Sequence, residues 1–230
     1  IAETQDNLLV LGGGSNILLT KNFNGIVLKN DLLGIEIISE DATHKFVKAA
    51  AGEVWHDFVQ FAIKNNLGGI ENLSLIPGTA GAAPMQNIGA YGVEIKDIFH
   101  ALTAFNKQTG EIQRFSTQEC EFGYRESVFK KEKKDQFIIL SLSVKLTKSK
   151  HKLNLNYGAI KETLKLGQID SPSIQDVSKA VCNIRSTKLP DPRLIGNSGS
   201  FFKNPIVATS LANILKEQFE DMPIYKISET

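Results

Sequence analysis

Cysteine, tryptophan and methionine are scarce in this chain, with two, one and two copies among 230 residues. Cys120 and Cys182 lie too far apart for a close metal-ligand pair, and two cysteines make a poor disulfide framework. A reducing cytoplasm is therefore the simplest setting. His44, His56, His100 and His151 are scattered, so no metal site is expected. No apolar run approaches the roughly eighteen residues of a membrane span, and the start is not signal-like, so no membrane partner is expected. Charge excess is missing as well. The 26 basic and 25 acidic residues leave a net +1, which argues against a general nucleic-acid binder. The densest basic run, Lys130 to Lys134, contains Glu132 and runs into Asp135, and it reads as a solvated hairpin tip. Two phosphate-binding signatures are absent too. There is no Gly-Lys-Ser/Thr, and after Gly12-x-Gly14 an isoleucine, Ile17, stands where a dinucleotide fingerprint needs its third glycine.

What remains is ordinary globular composition, 42% hydrophobic, in a length that suits one large domain or two modest ones. The chain opens on Ile1 and stops at Thr230, and a piece trimmed at both ends is expected. Strands are expected at Leu8–Leu11, Ile26–Leu28, Ile35–Ile38, Phe46–Ala50 and Gln136–Leu146, with a hairpin of His100–Asn106 and Glu111–Phe115. A helix from Glu53 to Asn66 carries Val54, Phe58, Phe61 and Ala62 on one face and ends at Gly68-Gly69. Ser116 and Glu119 have capping-box spacing. A second helix from Ser173 to Thr187 aligns Ile174, Val177, Val181 and Ile184, and Leu189-Pro-Asp-Pro192 stops it. The domain boundary is placed there. Leu211–Phe219 is the last expected helix. The pattern is α+β with antiparallel pairing, without repeats or low-complexity tracts.

Two stretches stand apart. Pro77 to Gly92 reads PGTAGAAPMQNIGAYG, half Gly or Ala and without a charge. That composition buries no face, but it lets the main chain approach a neighbour closely and expose its N–H groups to an anion. Any single glycine there reads as a turn or a packing position. The whole stretch, with the Gln86 and Asn87 amides and the Tyr91 ring, reads as a cofactor cradle. Gly12-Gly13-Gly14-Ser15-Asn16 follows the first strand and adds a second glycine turn with hydroxyl and amide donors. Two such loops without Rossmann spacing point to one diphosphate held from two sides.

Candidate reactive groups lie further on. Arg125, after Tyr124, offers a guanidinium that can fork a carboxylate, or a plain ion pair. Tyr157 stands before a turn, as a core ring or a ligand contact. Gly196–Pro205 gathers Ser200, Lys203 and Asn204. It is not a hydrolase elbow, because Gly-x-Ser-x-Gly would need glycine where Ser200 stands.

Taken in order, Gly12–Asn16, Glu71–Gly78, Gln86–Gly92, Phe122–Ser127, Lys188–Pro192 and Gly199–Pro205 resemble the UDP-N-acetylenolpyruvoylglucosamine reductase family, in its form with an extra tyrosine loop. The resemblance runs across nearly the whole chain. It implies an α+β fold, with a vanillyl-alcohol-oxidase (PCMH)-type domain over 1–188 binding FAD non-covalently and the start of a smaller α+β substrate domain over 189–230. It implies NADPH as reductant, UDP-N-acetylglucosamine enolpyruvate as substrate, hydride delivery from flavin N5, and a monomer serving peptidoglycan precursor synthesis. By motif, Arg125 binds and polarises the substrate carboxylate and Ser200 donates the proton. Tyr124, Tyr157, Lys188 and Asn204 hold the UDP-sugar. Cofactor contacts fall on Gly12, Gly13, Gly14, Ser15, Asn16, Pro77, Gly78, Gly81, Ala82, Gln86, Asn87, Gly89, Ala90, Tyr91, Ile139 and Arg185. The family also uses an acidic residue nearer its C-terminus that these 230 residues do not supply, so the piece is expected to be slow or inactive. A sugar or alcohol oxidase of the same fold, and a non-enzymatic nucleotide-sugar binding module, are the alternatives.

Overall fold

The computed structural model describes residues 7–192, 194–197 and 202–225. Contacts divide the chain into two compact units, Ile1–Ser198 and Gly199–Thr230. The first contains β1 (Leu8–Leu11), β2 (Ile26–Lys29), β3 (Ile35–Glu40), β4 (His44–Ala50) and α1 (Trp55–Lys64). It continues through β5 (Gly89–Ala90), β6 (Val93–Glu94), α2 (Ile95–Ile98), β7 (Phe99–Asn106), β8 (Ile112–Phe115), β9 (Phe137–Thr147), α3 (Gly158–Leu166) and α4 (Ile174–Lys188). The described part of the second unit holds α5 (Thr209–Gln218), close to the helix expected there.

The frame is a five-stranded antiparallel sheet in the order β3-β4-β9-β7-β8. The long β9 lies in the middle because its apolar residues serve both neighbours, with Val47 opposite Val144 on one side and Leu102 opposite Leu142 on the other. Leu142, Val144 and Leu146 recur at period two and are fully buried. β1 and β2 depart from the expected antiparallel pairing. They form a separate parallel pair, Leu8 opposite Ile26.

Helix α1 packs on this core through Trp55, Phe58, Val59, Ala62 and Ile63. Of the face expected from sequence, Phe58 and Ala62 are fully buried and Phe61 packs partly buried against the core, while Val54 falls outside the helix. Val54 precedes the first turn as its N-cap and is half exposed. Trp55 takes the inner position, where its ring is fully buried and Nε1 donates to the Leu73 carbonyl at 2.9 Å. A second, smaller core joins Ile160 and Leu164 of α3 to Val177, Val181 and Ile184 of α4. The sequence reading stopped at a turn after Tyr157, yet α3 starts there, and its i,i+4 pair Ile160/Leu164 was the available signal. Helix α4 begins as expected. Ser173 accepts from the Asp176 N–H, and the Asp176 carboxylate accepts from Ser173, completing a capping box.

Phe58 has no exposed surface and edges onto Trp55 at 5.8 Å between ring centres. Phe58→Ala is expected to lower the unfolding free energy by about 3–5 kcal/mol in denaturant titration, the usual cost of an emptied aromatic site.

Candidate functional site

The two glycine-rich stretches come together. Gly12–Asn16 leaves the end of β1, and Asn16 Nδ2 donates to Gln86 Oε1 at 3.1 Å across 70 residues of sequence. Between the loops lies a cavity of about 320 Å³, lined by Ser15, Asn16, Pro77, Gly78, Thr79 and Ala82, among others. The N–H groups of Gly13, Gly14, Ser15, Asn16, Gly78 and Thr79 find no acceptor among the described residues. Gly78 has φ +108°, and a Cβ there would lie 3.2 Å from Ser15 Oγ. Backbone shape and close approach both demand glycine at that position.

Other cavity residues escaped the sequence reading. Trp55 supplies apolar wall from outside both stretches, beside Met85 and Ile88 of Pro77–Gly92. Lys130 also lines the cavity, which corrects the expectation of a merely solvated hairpin tip. Its Nζ donates to the Arg125 carbonyl at 3.1 Å, and that bond turns the first lysine of the run toward the loops. It is the cavity's one charged lining residue among those described. The signal was its position five residues after Arg125, not the run's charge density.

Arg125 sits on a tight turn in which Gly123 N–H donates to the Glu126 carbonyl at 3.0 Å and Glu126 N–H returns a bond to Gly123 at 3.3 Å. Its own φ is +53°, a conformation side chains rarely adopt and one that recurs at functional sites. The guanidinium lies over the Tyr124 ring at 5.1 Å and donates from Nη2 to the Gly89 carbonyl at 2.6 Å. Gly89 directly follows cavity-lining Ile88, so the guanidinium is tied to the loop that lines the cavity without lining it itself.

The remaining sequence-selected residues divide. Asn87 is fully buried, and its side chain is occupied by Glu94, Gly123 and the Lys96 N–H. It braces the loop. Gly81 packs on Ala51, and a Cβ there would lie 2.5 Å from the Ala51 Cβ. Ala90 forms the two-residue strand β5 with Gly89. Ile139 is buried in the main core and offers its carbonyl to Asn30 Nδ2 at 2.8 Å. Tyr91 and Tyr157 meet edge to face at 5.0 Å, beside α4. Burial raises the Tyr91 pKa. Lys188 closes α4 on an exposed position. Asn204 belongs to the second unit, and Ser200 lies outside the described residues.

One pair of side chains holds the peptide groups of Leu75, two residues before Pro77. Leu75 has φ +56°. Its N–H donates to His56 Nδ1 at 2.9 Å, and its carbonyl accepts from Arg185 Nε at 2.9 Å. Burial holds the His56 pKa below its ordinary 6.5, and the Arg185 charge adds to this against the opposing pull of Asp57.

The class follows from this arrangement and from comparison with known proteins. The model of the FAD binding domain family matches residues 1–116, just over half of the chain, and the chain belongs to that family. It is 54% identical to the UDP-N-acetylenolpyruvoylglucosamine reductase of Flavobacterium johnsoniae over 221 residues, 96% of this chain and 66% of that protein. To the enzyme of the same name from Pseudomonas syringae pv. tomato it is 53% identical over 217 residues, 94% of this chain and 63% of that one. The chain thus spans just under two thirds of the length of these curated relatives. The crystal structure of the UDP-N-acetylenolpyruvylglucosamine reductase from Thermus caldophilus matches with a TM-score of 0.60 at 23% identity, covering 92% of this chain and 67% of the other. That match supports the PCMH-type fold.

The residues present fit FAD. Thr79 Oγ1 is buried and has no hydrogen-bond partner among the described residues, and a Cβ on Gly12 would come within 2.5 Å of it. An orphaned hydroxyl, a set of open main-chain N–H groups and one lysine make a donor-rich, narrow seat for a diphosphate.

Two outcomes are expected. Gly78→Ala should weaken FAD binding at least about tenfold in a fluorescence titration, since backbone strain of about 1–3 kcal/mol falls on the cradle itself. The second concerns pH. Because the folded-state pKa of His56 is lowered, the unfolded chain binds more protons. The stability held by the neutral ring is then complete above pH 6.5 and is lost as pH falls from there through the folded value. His56→Gln should flatten that part of a plot of unfolding midpoint against pH.

Proposed function

We propose that the full-length protein is an NADPH-dependent reductase converting UDP-N-acetylglucosamine enolpyruvate to UDP-N-acetylmuramate for peptidoglycan synthesis, acting as a monomer in the cytoplasm. The observation that carries this reading is Arg125 hydrogen-bonded to Gly89 of the glycine-rich loop, in a chain 54% identical to a reductase of that name. When bound, FAD supplies the redox chemistry, accepting hydride from NADPH and passing it to the enolpyruvyl double bond. The flavin domain is assigned to residues 1–188, held from Gly12–Asn16 and Pro77–Tyr91, and the substrate domain starts at 189.

Arg125 receives the substrate carboxylate. Hydride addition leaves negative charge delocalised into that carboxylate, so a fixed guanidinium stabilises the transition state more than the ground state. Ser200 is assigned the proton that completes the addition. A hydroxyl is a weak acid in water, but it can quench a strongly basic carbanion placed beside it. Tyr124, Tyr157, Lys188 and Asn204 are assigned to the UDP-sugar. The two free cysteines suit a reducing compartment, and burial pushes the Cys120 thiol up to about 12, leaving it inert at neutral pH.

The purified full-length protein should be yellow, and its flavin should bleach anaerobically with NADPH and recolour with the enolpyruvyl substrate. Ser200→Ala is expected to leave bleaching near the wild-type rate and to slow recolouring about 10²–10⁴-fold, the usual worth of a positioned proton donor. A colourless protein, or equal rates in both half-reactions, would refute this reading.

A further inference from the structure

Glu94 is the first side chain behind Arg125, and every polar atom around it converges on its carboxylate. Oε1 accepts from Arg125 Nη1 at 3.4 Å. Oε2 accepts from Asn87 Nδ2 at 2.9 Å and from Lys96 Nζ at 2.9 Å. The carboxylate also takes the N–H of Asp97, while Glu94 N–H donates to Asp97 Oδ2 at 2.8 Å, closing a capping box on α2. These four donors fix the carboxylate in place. The closer cation is Lys96, so Glu94 does not neutralise the guanidinium on its own.

The approach of Arg125 to this group is built into the backbone. A Cβ on Gly89 would lie 2.8 Å from Arg125 Nη1 and 2.8 Å from Glu94 Cγ, so the pair meets only over a glycine. The guanidinium is then fixed from Nη1 to Glu94 and to the Asn87 carbonyl at 3.5 Å, and from Nη2 to the Gly89 carbonyl. Nε has no partner among the described residues. The bonded end points at the cradle loop, and the Nε side remains to fork a carboxylate.

We propose that Glu94 is the positioning residue for Arg125: it orients the guanidinium for the substrate carboxylate and does so only through that arginine. The inference rests on the reductase reading. An ordinary capping residue would contribute stability to α2 independently of Arg125. A positioning residue loses its effect once Arg125 is gone, and a double-mutant cycle separates the two.

The test uses the full-length, FAD-loaded protein with Glu94→Gln, Glu94→Asp, Arg125→Ala and the Glu94→Gln/Arg125→Ala pair. Calorimetry measures binding of UDP-N-acetylmuramate, whose carboxylate is the group to be gripped, and stopped flow measures each half-reaction. Glu94→Gln should weaken product binding and slow recolouring about tenfold or more while leaving NADPH bleaching within about twofold. Glu94→Asp, which keeps the charge, should recover part of the loss. In the Arg125→Ala background the Gln substitution should change neither quantity by more than about twofold. Losses that add in the double variant, or a Gln variant that simply lowers the unfolding midpoint and loses flavin, would overturn the proposal. A wild-type protein that neither binds the product nor recolours with the substrate would instead refute the reductase reading.

Discussion

Main-chain donors that the fold leaves unpaired in one narrow place are the constraint on which this molecule turns. Two loops 70 residues apart are tied by the Asn16–Gln86 bond, and between them open N–H groups and the Thr79 hydroxyl lack protein acceptors. Thr79 is buried, where an unsatisfied donor costs about 1–3 kcal/mol, whereas Gly13–Asn16 are exposed and offer their N–H groups to water until a ligand replaces it. A bound diphosphate offers acceptors on several oxygens and can satisfy several of these donors together. Ligand that binds only the folded chain stabilises it by mass action.

That constraint also explains the shape of the rest. Holding an anion with backbone rather than side chains makes loop conformation the functional variable. Positive φ values recur along this path, at Gly14, Leu75, Gly78, Asn87 and Tyr91. Leu75 and Tyr91 are held from outside the loop. His56 and Arg185 bond both peptide groups of Leu75. Asn72 Nδ2 donates to the Tyr91 carbonyl at 2.9 Å. The five-stranded sheet and α1 supply the rigid wall, and α4 carries Arg185 to the loop entry. In this chain the helices brace the loops from behind.

Much of this was legible in the sequence, and the failures have physical causes. Period-two runs in β4 and β9 and the Ser173 cap identified their elements because local pattern and tertiary burial agree there. On α1 only Val54 was misplaced, because periodicity cannot tell an N-cap valine from a first-turn one, whereas the Trp55 bond to Leu73 decides it. That the two glycine loops belong together was legible, and they do meet beside one cavity. Their partners were not, since Trp55 and Lys130 reach the cavity from two other parts of the chain. Ile139 carries no outward sign that its side chain faces the core and its carbonyl faces Asn30. Chemistry-bearing types could be named from sequence; which side of the backbone they occupy required the fold.

Asn87 joins the glycine-rich loop and the turn that carries Arg125 into one frame. It lies in the cradle loop, yet its amide donates to the Gly123 carbonyl at 2.9 Å, within the turn that presents Arg125, and to Glu94 at 2.9 Å behind the guanidinium. Ser127 Oγ adds a second tie, donating to the Met85 carbonyl at 2.7 Å. The loop that lines the cavity and the loop that carries Arg125 therefore cannot shift independently without breaking buried hydrogen bonds. Such breakage costs more than the bonds are worth when made, because the orphaned groups stay away from water. A guanidinium registered to the cradle in this way needs no separate ordering step when a carboxylate arrives, and positional accuracy of this kind is what differential binding of a transition state requires.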